Sequence, residues 1–258
     1  MPADVKEPLN PLAIAKLLGP NTPTLDHFIR FFSTVRGTDK VLMFISYWSK
    51  VVIWFLQRRG VDPKIAMRIQ NLAGPASDFR MLLRYYGLLP MIQYMKYLEY
   101  NKPPSKLTLH VERIQNLSML FYYPLEHLYW LGAHQIVPMT ENKANKISVW
   151  SCRAWAVWVI LEFVRLGEQY RVLKHRETGL LKRIKAGDIE SDEDPEAEMA
   201  SMKAERSSIF VNTMMNIGYF PLTLHWSREA GLIPDVVVGM CGGFASLFQL
   251  YAAWRDTA

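Results

Sequence analysis

VVVGMCGGFASLFQLYAAW, residues 236–254, is a run of 19 residues without one charge, set between Asp235 and Arg255-Asp256. That length is near the lower limit for a helix that crosses a bilayer. Gly239 and Gly243 stand in G-x-x-x-G spacing, and Gly242 and Ser246 repeat the small-xxx-small pair one row over. Small residues in such rows admit a second helix at close range, so these four are candidate helix contacts, a second copy of the chain included. A globular protein can also bury a Gly-rich apolar helix of this kind.

Upstream, residues 209–226 are also uncharged, with Pro221 inside, and a polar turn at 227–234 joins them to the final run. Residues 201–258 therefore read as a helical hairpin in a membrane. A third apolar run, 147–164, carries Arg153 and Glu162 near its ends and Trp150, Trp155 and Trp158 along it. It fits a span, an interfacial helix or a core helix.

Half of the 258 residues are apolar, helical periods are common and strand-like alternation is scarce. The fold class is all-α, a membrane-associated helical bundle with amphipathic N-terminal helices and a C-terminal transmembrane helix or hairpin. The net charge of +6 suits anionic lipid headgroups or acidic partners. Nucleic acid is not expected, because no zinc-finger spacing, RNP sequence or recognition-helix motif accompanies the charge. The chain has no G-x-G-x-x-G, P-loop, H-E-x-x-H, G-x-S-x-G or Cys-x-x-Cys, so neither catalysis nor a cofactor is expected. Cys152 and Cys241 sit alone in apolar segments, and His127 and His134 lack the further ligands a metal would need. The first residues lack the order of a secretory signal, and the last three are not a Ser-Lys-Leu address. Any targeting signal is expected to be internal.

Along the chain, residues 1–23 are rich in proline and form a loose lead-in, with a short helix at 13–18. Residues 24–100 form an amphipathic helical region. Its first helix places Leu25, Phe28, Ile29, Phe32 and Val35 on one face and is expected to end at Gly37. Thr38 and Asp39 would then supply an N-cap and a first-turn acid for the next helix, which Arg58-Arg59-Gly60 closes. In residues 63–86 the apolar positions Ile65, Ile69, Leu72, Ala76, Phe79, Leu83 and Tyr86 recur in steps of three and four. Lys64 and Arg68 lie to one side of this stripe, Arg80 and Arg84 to the other. Flanking cations of this kind can reach phosphates while the stripe enters the acyl boundary, although ordinary helix packing gives the same pattern. Gly74-Pro75 interrupts the segment, leaving two short helices or a kinked one. After the Asn101-Lys102-Pro103-Pro104 break come central long helices at 105–185 and an acidic loop at 186–200. The whole polar region 165–208 reads as exposed. Within the loop Ser191 opens an acidic kinase context, making it a candidate phosphorylation site.

Three blocks together resemble the peroxin-11 family. Residues 31–41, FFSTVRGTDKV, with Tyr47-Trp48-Ser49-Lys50 and Trp54, are similar to its N-terminal signature. Ser77-Asp78-Phe79-Arg80, with Arg84 and Gly87, is similar to its second segment, and 121–132, FYYPLEHLYWLG, to its central aromatic block. The closing run 239–254 resembles its membrane segment. Thr38 stands where the family usually has Arg, Glu126 where it has Asp, and Gly74-Pro75 falls in the helix to which membrane bending is assigned. The chain looks closest to a divergent fungal branch.

The resemblance implies an all-helical protein of the peroxisomal membrane, with the endoplasmic reticulum membrane as the alternative address. Such a protein elongates and remodels the membrane during proliferation and fission. It does so by amphipathic-helix insertion, self-association into a homo-oligomer and help in recruiting the fission machinery. Residues 64–86 would be the lipid-inserting element. The alternative activity is a membrane pore for small metabolites, using Arg153, Glu162 and Asn216 on an inner face.

Overall fold

The structure, a computed structural model, describes residues 22–188 and 194–258. Those residues form eight helices: α1 (Pro23–Ser33), α2 (Val35–Arg58), α3 (Pro63–Leu83), α4 (Tyr85–Tyr100), α5 (Lys106–Ala133), α6 (Glu141–Ala186), α7 (Pro195–Trp226) and α8 (Asp235–Arg255). The expected helix at 13–18 and Ser191 lie outside the described residues. α2 packs between α3 and α8, and the bundle continues through α7 and α6 to α5, against which α4 rests. The centre is apolar and tight: Met43 and Tyr47 of α2 meet Leu222 of α7 and Val238 and Ala245 of α8.

The first helix boundary differs from expectation. α1 ends at Ser33, and extended Thr34 caps α2 by accepting a hydrogen bond from the Gly37 N–H. Gly37 is thus inside α2. A Cβ there would lie 2.2 Å from the Phe31 carbonyl oxygen, which explains the glycine by close approach and not as a helix stop. Asp39 consequently sits within α2, where it is buried.

α3 runs unbroken through Gly74-Pro75, so the pair does not divide the segment into two helices. Proline crowds the residue before it, and a glycine there has no Cβ to clash. What Pro75 still removes is a donor to the Asn71 carbonyl. Pro75→Ala is therefore expected to stabilise the protein by about 1–3 kcal/mol in detergent unfolding experiments. An unchanged or lower midpoint would refute this account.

Most of the described residues in the polar region 165–208 are helical. α6 runs through 46 residues, and the acidic stretch from Pro195 onward is the first turn of α7, capped by Asp194. Leu166, Leu173 and Leu180 of α6, seven apart, pack on Met202 and Ile209 of α7. Arg176 pairs with Glu205 at 3.0 Å, Arg206 pairs with Glu177, and Arg183 lies 3.6 Å from Glu198. Cross-helix ion pairs, with arginines on both α6 and α7, thus zip an antiparallel helical stalk. α6 is about 70 Å long at 1.5 Å per residue, more than twice a bilayer's apolar core of about 30 Å, so its polar half stands clear of any bilayer its apolar half crosses.

The outer surface of the remaining bundle is apolar in regular rows. Exposed residues include Leu107, Ile114, Leu117, Phe121 and Leu128 on α5 and Trp150, Val157, Ile160 and Val164 on α6. Phe210, Ile217, Phe220 and Leu224 do the same on α7, and Met240, Phe244, Leu247 and Tyr251 on α8. Every row uses steps of three, four or seven, so each helix turns one apolar face outward. Meanwhile Ser151, Thr223 and Ser246 are fully buried. Large apolar side chains outside and small polar ones inside suit a bundle whose solvent is lipid. α6 and α8 each contain a stretch long and apolar enough to cross a membrane.

Candidate functional site

The charges in the N-terminal half converge where α2, α3 and α5 meet. Asp39, Arg80 and Glu126 are all buried. Arg80 Nε donates to Asp39 Oδ1 at 2.9 Å, and Lys40 Nζ to Asp39 Oδ2 at 2.7 Å. Four residues on, one helical turn, Arg84 donates twice to Glu126, at 2.7 and 2.6 Å, and the Tyr122 hydroxyl donates to the same carboxylate at 2.7 Å. Burial alone would raise the Asp39 pKa, but Arg80 and Lys40 beside it hold the carboxyl below its ordinary value. Burial likewise disfavours the Arg84 cation, yet the Tyr122 and Glu126 oxygens hold its pKa well above the usual guanidinium value. Both pairs stay ionised because each charge has its counter-charge in hydrogen-bonding range.

A second layer surrounds this cluster. Asp78 of α3 accepts from Trp130 Nε1 at 2.9 Å and lies 3.3 Å from His134 Nε2. Tyr85 stacks on His127 with centroids 3.4 Å apart. Gly87 lets α4 close on α5, since a Cβ there would come within 2.6 Å of the Tyr123 hydroxyl. Residues 38–40, 77–87 and 121–134 are far apart in sequence and form one site in space. The two histidines serve different contacts within it.

This placement corrects the lipid-site expectation in part. The stripe of α3 straddles the edge of the bundle: Ile69 and Leu83 are half-buried on the inner side, while Ile65, Leu72 and Phe79 are exposed. Lys64 and Arg68 are exposed on the outer side. Arg80 and Arg84, expected at headgroups, instead turn inward onto Asp39 and Glu126. The readable signal is Glu126, which stands amid apolar helix and needs a cation when buried.

The small residues of α8 do admit another helix, and that helix is α2 of the same chain. A Cβ on Gly242 would lie 2.2 Å from the Tyr47 ring, one on Gly239 2.9 Å from the Tyr47 carbonyl oxygen, and one on Gly243 2.9 Å from the Trp48 ring. Ser246 is fully buried and donates to the Gly243 carbonyl at 2.6 Å. Contact with a second copy through this row is therefore excluded while α2 occupies it. The residues named for a pore do not converge. Arg153 reaches the Ser227 carbonyl, Glu162 takes Gln115 and Arg165, and Asn216 donates to Asn212 of its own helix.

Comparison with known proteins gives this arrangement its family. Human Peroxisomal membrane protein 11C is 22% identical over 227 residues, covering 85% of this chain and 90% of that protein. A protein of Schizosaccharomyces pombe, itself uncharacterized, is 24% identical over 190 residues, covering 73% of this chain and 78% of its own. No solved structure matches. The description Peroxisomal biogenesis factor 11 (PEX11) matches residues 25–254, a span that holds every residue of the charge cluster and all of α8 but its last residue. The chain belongs to the PEX11 family.

Proposed function

We propose that the chain resides in the peroxisomal membrane and elongates it during proliferation, with the outer edge of α3 seated in one leaflet. PEX11 is a family of peroxisome biogenesis factors, and the human relative is named as a peroxisomal membrane protein. The observation that carries the mechanism is the exposure of Leu72, at 61%, and Phe79, at 47%, beside exposed Lys64 and Arg68. The inner edge holds α3 to α2 through Asp39–Arg80, so the wedge is presented by a fixed frame. Apolar volume added to one leaflet favours positive curvature. Fission proteins, which the family resemblance implies as partners, would meet the charged stalk of α6 and α7, which stands clear of the apolar rows.

Full-length protein reconstituted with phosphatidylcholine and phosphatidylserine tests this reading. Leu72→Glu with Phe79→Glu removes two apolar contacts worth about 1.5–3 kcal/mol each, enough to weaken seating of α3 about a hundredfold or more. Vesicle tubulation should be lost while the protein still resists carbonate extraction. Tubulation at the unsubstituted level would sink the assignment to α3.

A further inference from the structure

We propose that α1 is a second lipid-seated element, lying in the leaflet at which the C-terminal end of α8 emerges and clamped to that end. This rests on reading α8 as a membrane span. His27 Nε2 lies 3.0 Å from the Trp254 carbonyl oxygen and 3.2 Å from Thr257 Oγ1, and Arg30 Nε donates to the Thr257 carbonyl at 3.0 Å. The rings of Phe28 and Phe31 rest on Trp254 at 4.9 and 5.4 Å. All of these partners fall within residues 254–257, one turn of helix. By contrast α2 follows α8 over its length, from Lys50 beside Asp235 to Arg36 on Asp256. Contacts confined to one turn mean that α1 crosses the end of α8 and does not run beside it.

The faces of α1 match such a position. At about 100° per residue, α1 divides into three sectors about 120° apart: Asp26, Arg30 and Ser33 in one, Leu25, Phe28, Ile29 and Phe32 in the next, and His27 and Phe31, which face α8, in the third. The four apolar side chains are all exposed, while Phe31 is buried. A helix in the plane of an interface needs this division into water side and acyl side. Lipid is the occupant because the surface is continuous. The exposed row Met240, Phe244, Leu247 and Tyr251 leads one turn further to Trp254, and Phe28 takes over there. That end of α8 also lies beside Val211 and Met215 of α7, where the stalk leaves the apolar rows. α1 and the stalk thus share one side of the membrane.

The test uses the full chain with Cys152→Ala and Cys241→Ala, reconstituted in phosphatidylcholine and phosphatidylserine vesicles. A nitroxide is attached through Phe32→Cys, Asp26→Cys or, as a reference, Leu247→Cys. The Phe32 label should collide several-fold more with oxygen than with a water-soluble nickel chelate, relative to the Asp26 label, which lies about 120° around the helix. Equal ratios at the two positions would overturn the proposal. Shielding of the Phe32 label from both reagents would also overturn it, since a protein surface would then cover α1. If the Leu247 label itself reads as aqueous, the span assigned to α8 fails, a result distinct from failure of α1 alone.

Discussion

Arg84→Met is expected to cost the protein about 3 kcal/mol, more than any charge substitution on the outer edge of α3. The change leaves the Glu126 carboxylate 10% exposed with only the Tyr122 hydroxyl to solvate it. Breaking a buried pair by removing one partner costs about 3–5 kcal/mol. The lower end applies, because the Arg84 side chain keeps 28% of its surface exposed and some screening with it. Arg84→Met combined with Glu126→Gln removes both charges and still leaves Tyr122 an acceptor, so most of the loss should return. Arg68→Met, on the exposed edge, should fall within about 0.5 kcal/mol of the parent. Denaturant unfolding in micelles, followed by far-ultraviolet circular dichroism, measures all three. Equal losses in the single and double variants would show that size, not charge balance, matters at position 84.

The same cluster explains why some of the fold was legible in the sequence and some was not. Helix ends carried by local chemistry could be read: Gly60 closes α2 with a positive φ, and the Asn101 break and the start of α5 fall where expected. Thr34 and Thr38 are both able caps four residues apart, and only the close approach of α1 to α2 decides between them. The stalk had a readable signal in Leu166, Leu173 and Leu180, seven apart, but its charge blocks look like a solvated loop unless the hairpin is already known. Arg80 and Arg84 on a helix surface look identical whether they face phosphate or carboxylate. Their partners lie 41 and 42 residues away, on other helices. Position within a motif could be read from sequence, whereas the direction in which each motif faces is a property of the assembled bundle.

Gly242→Leu is expected to have the largest effect of any single change, because it acts where two helices are closest. Even an alanine Cβ would lie 2.2 Å from Tyr47 Cδ1 and 2.3 Å from Cγ, atoms near the root of the ring. The ring has no free space to enter. Tyr47 is buried among Met43, Leu222, Val238 and Ala245 and lies 6.3 Å from the Trp226 ring. Nor can α8 retreat, since a Cβ on Gly218 of α7 would meet the Cys241 carbonyl oxygen at 2.7 Å, so α7 presses on it from another side. Overpacking by alanine should cost about 1–3 kcal/mol, and leucine should exceed that and prevent α8 from seating on α2. If this is packing within one chain, Tyr47→Ala should restore part of the stability lost to Gly242→Leu, with a coupling of about 1 kcal/mol or more. Were the glycine row instead a contact between copies, Gly242→Leu would reduce chemical cross-linking of oligomers and leave the unfolding midpoint of the monomer in place. The two readings therefore separate on a single variant: a lowered midpoint at unchanged cross-linking belongs to α2, and the reverse to a second chain.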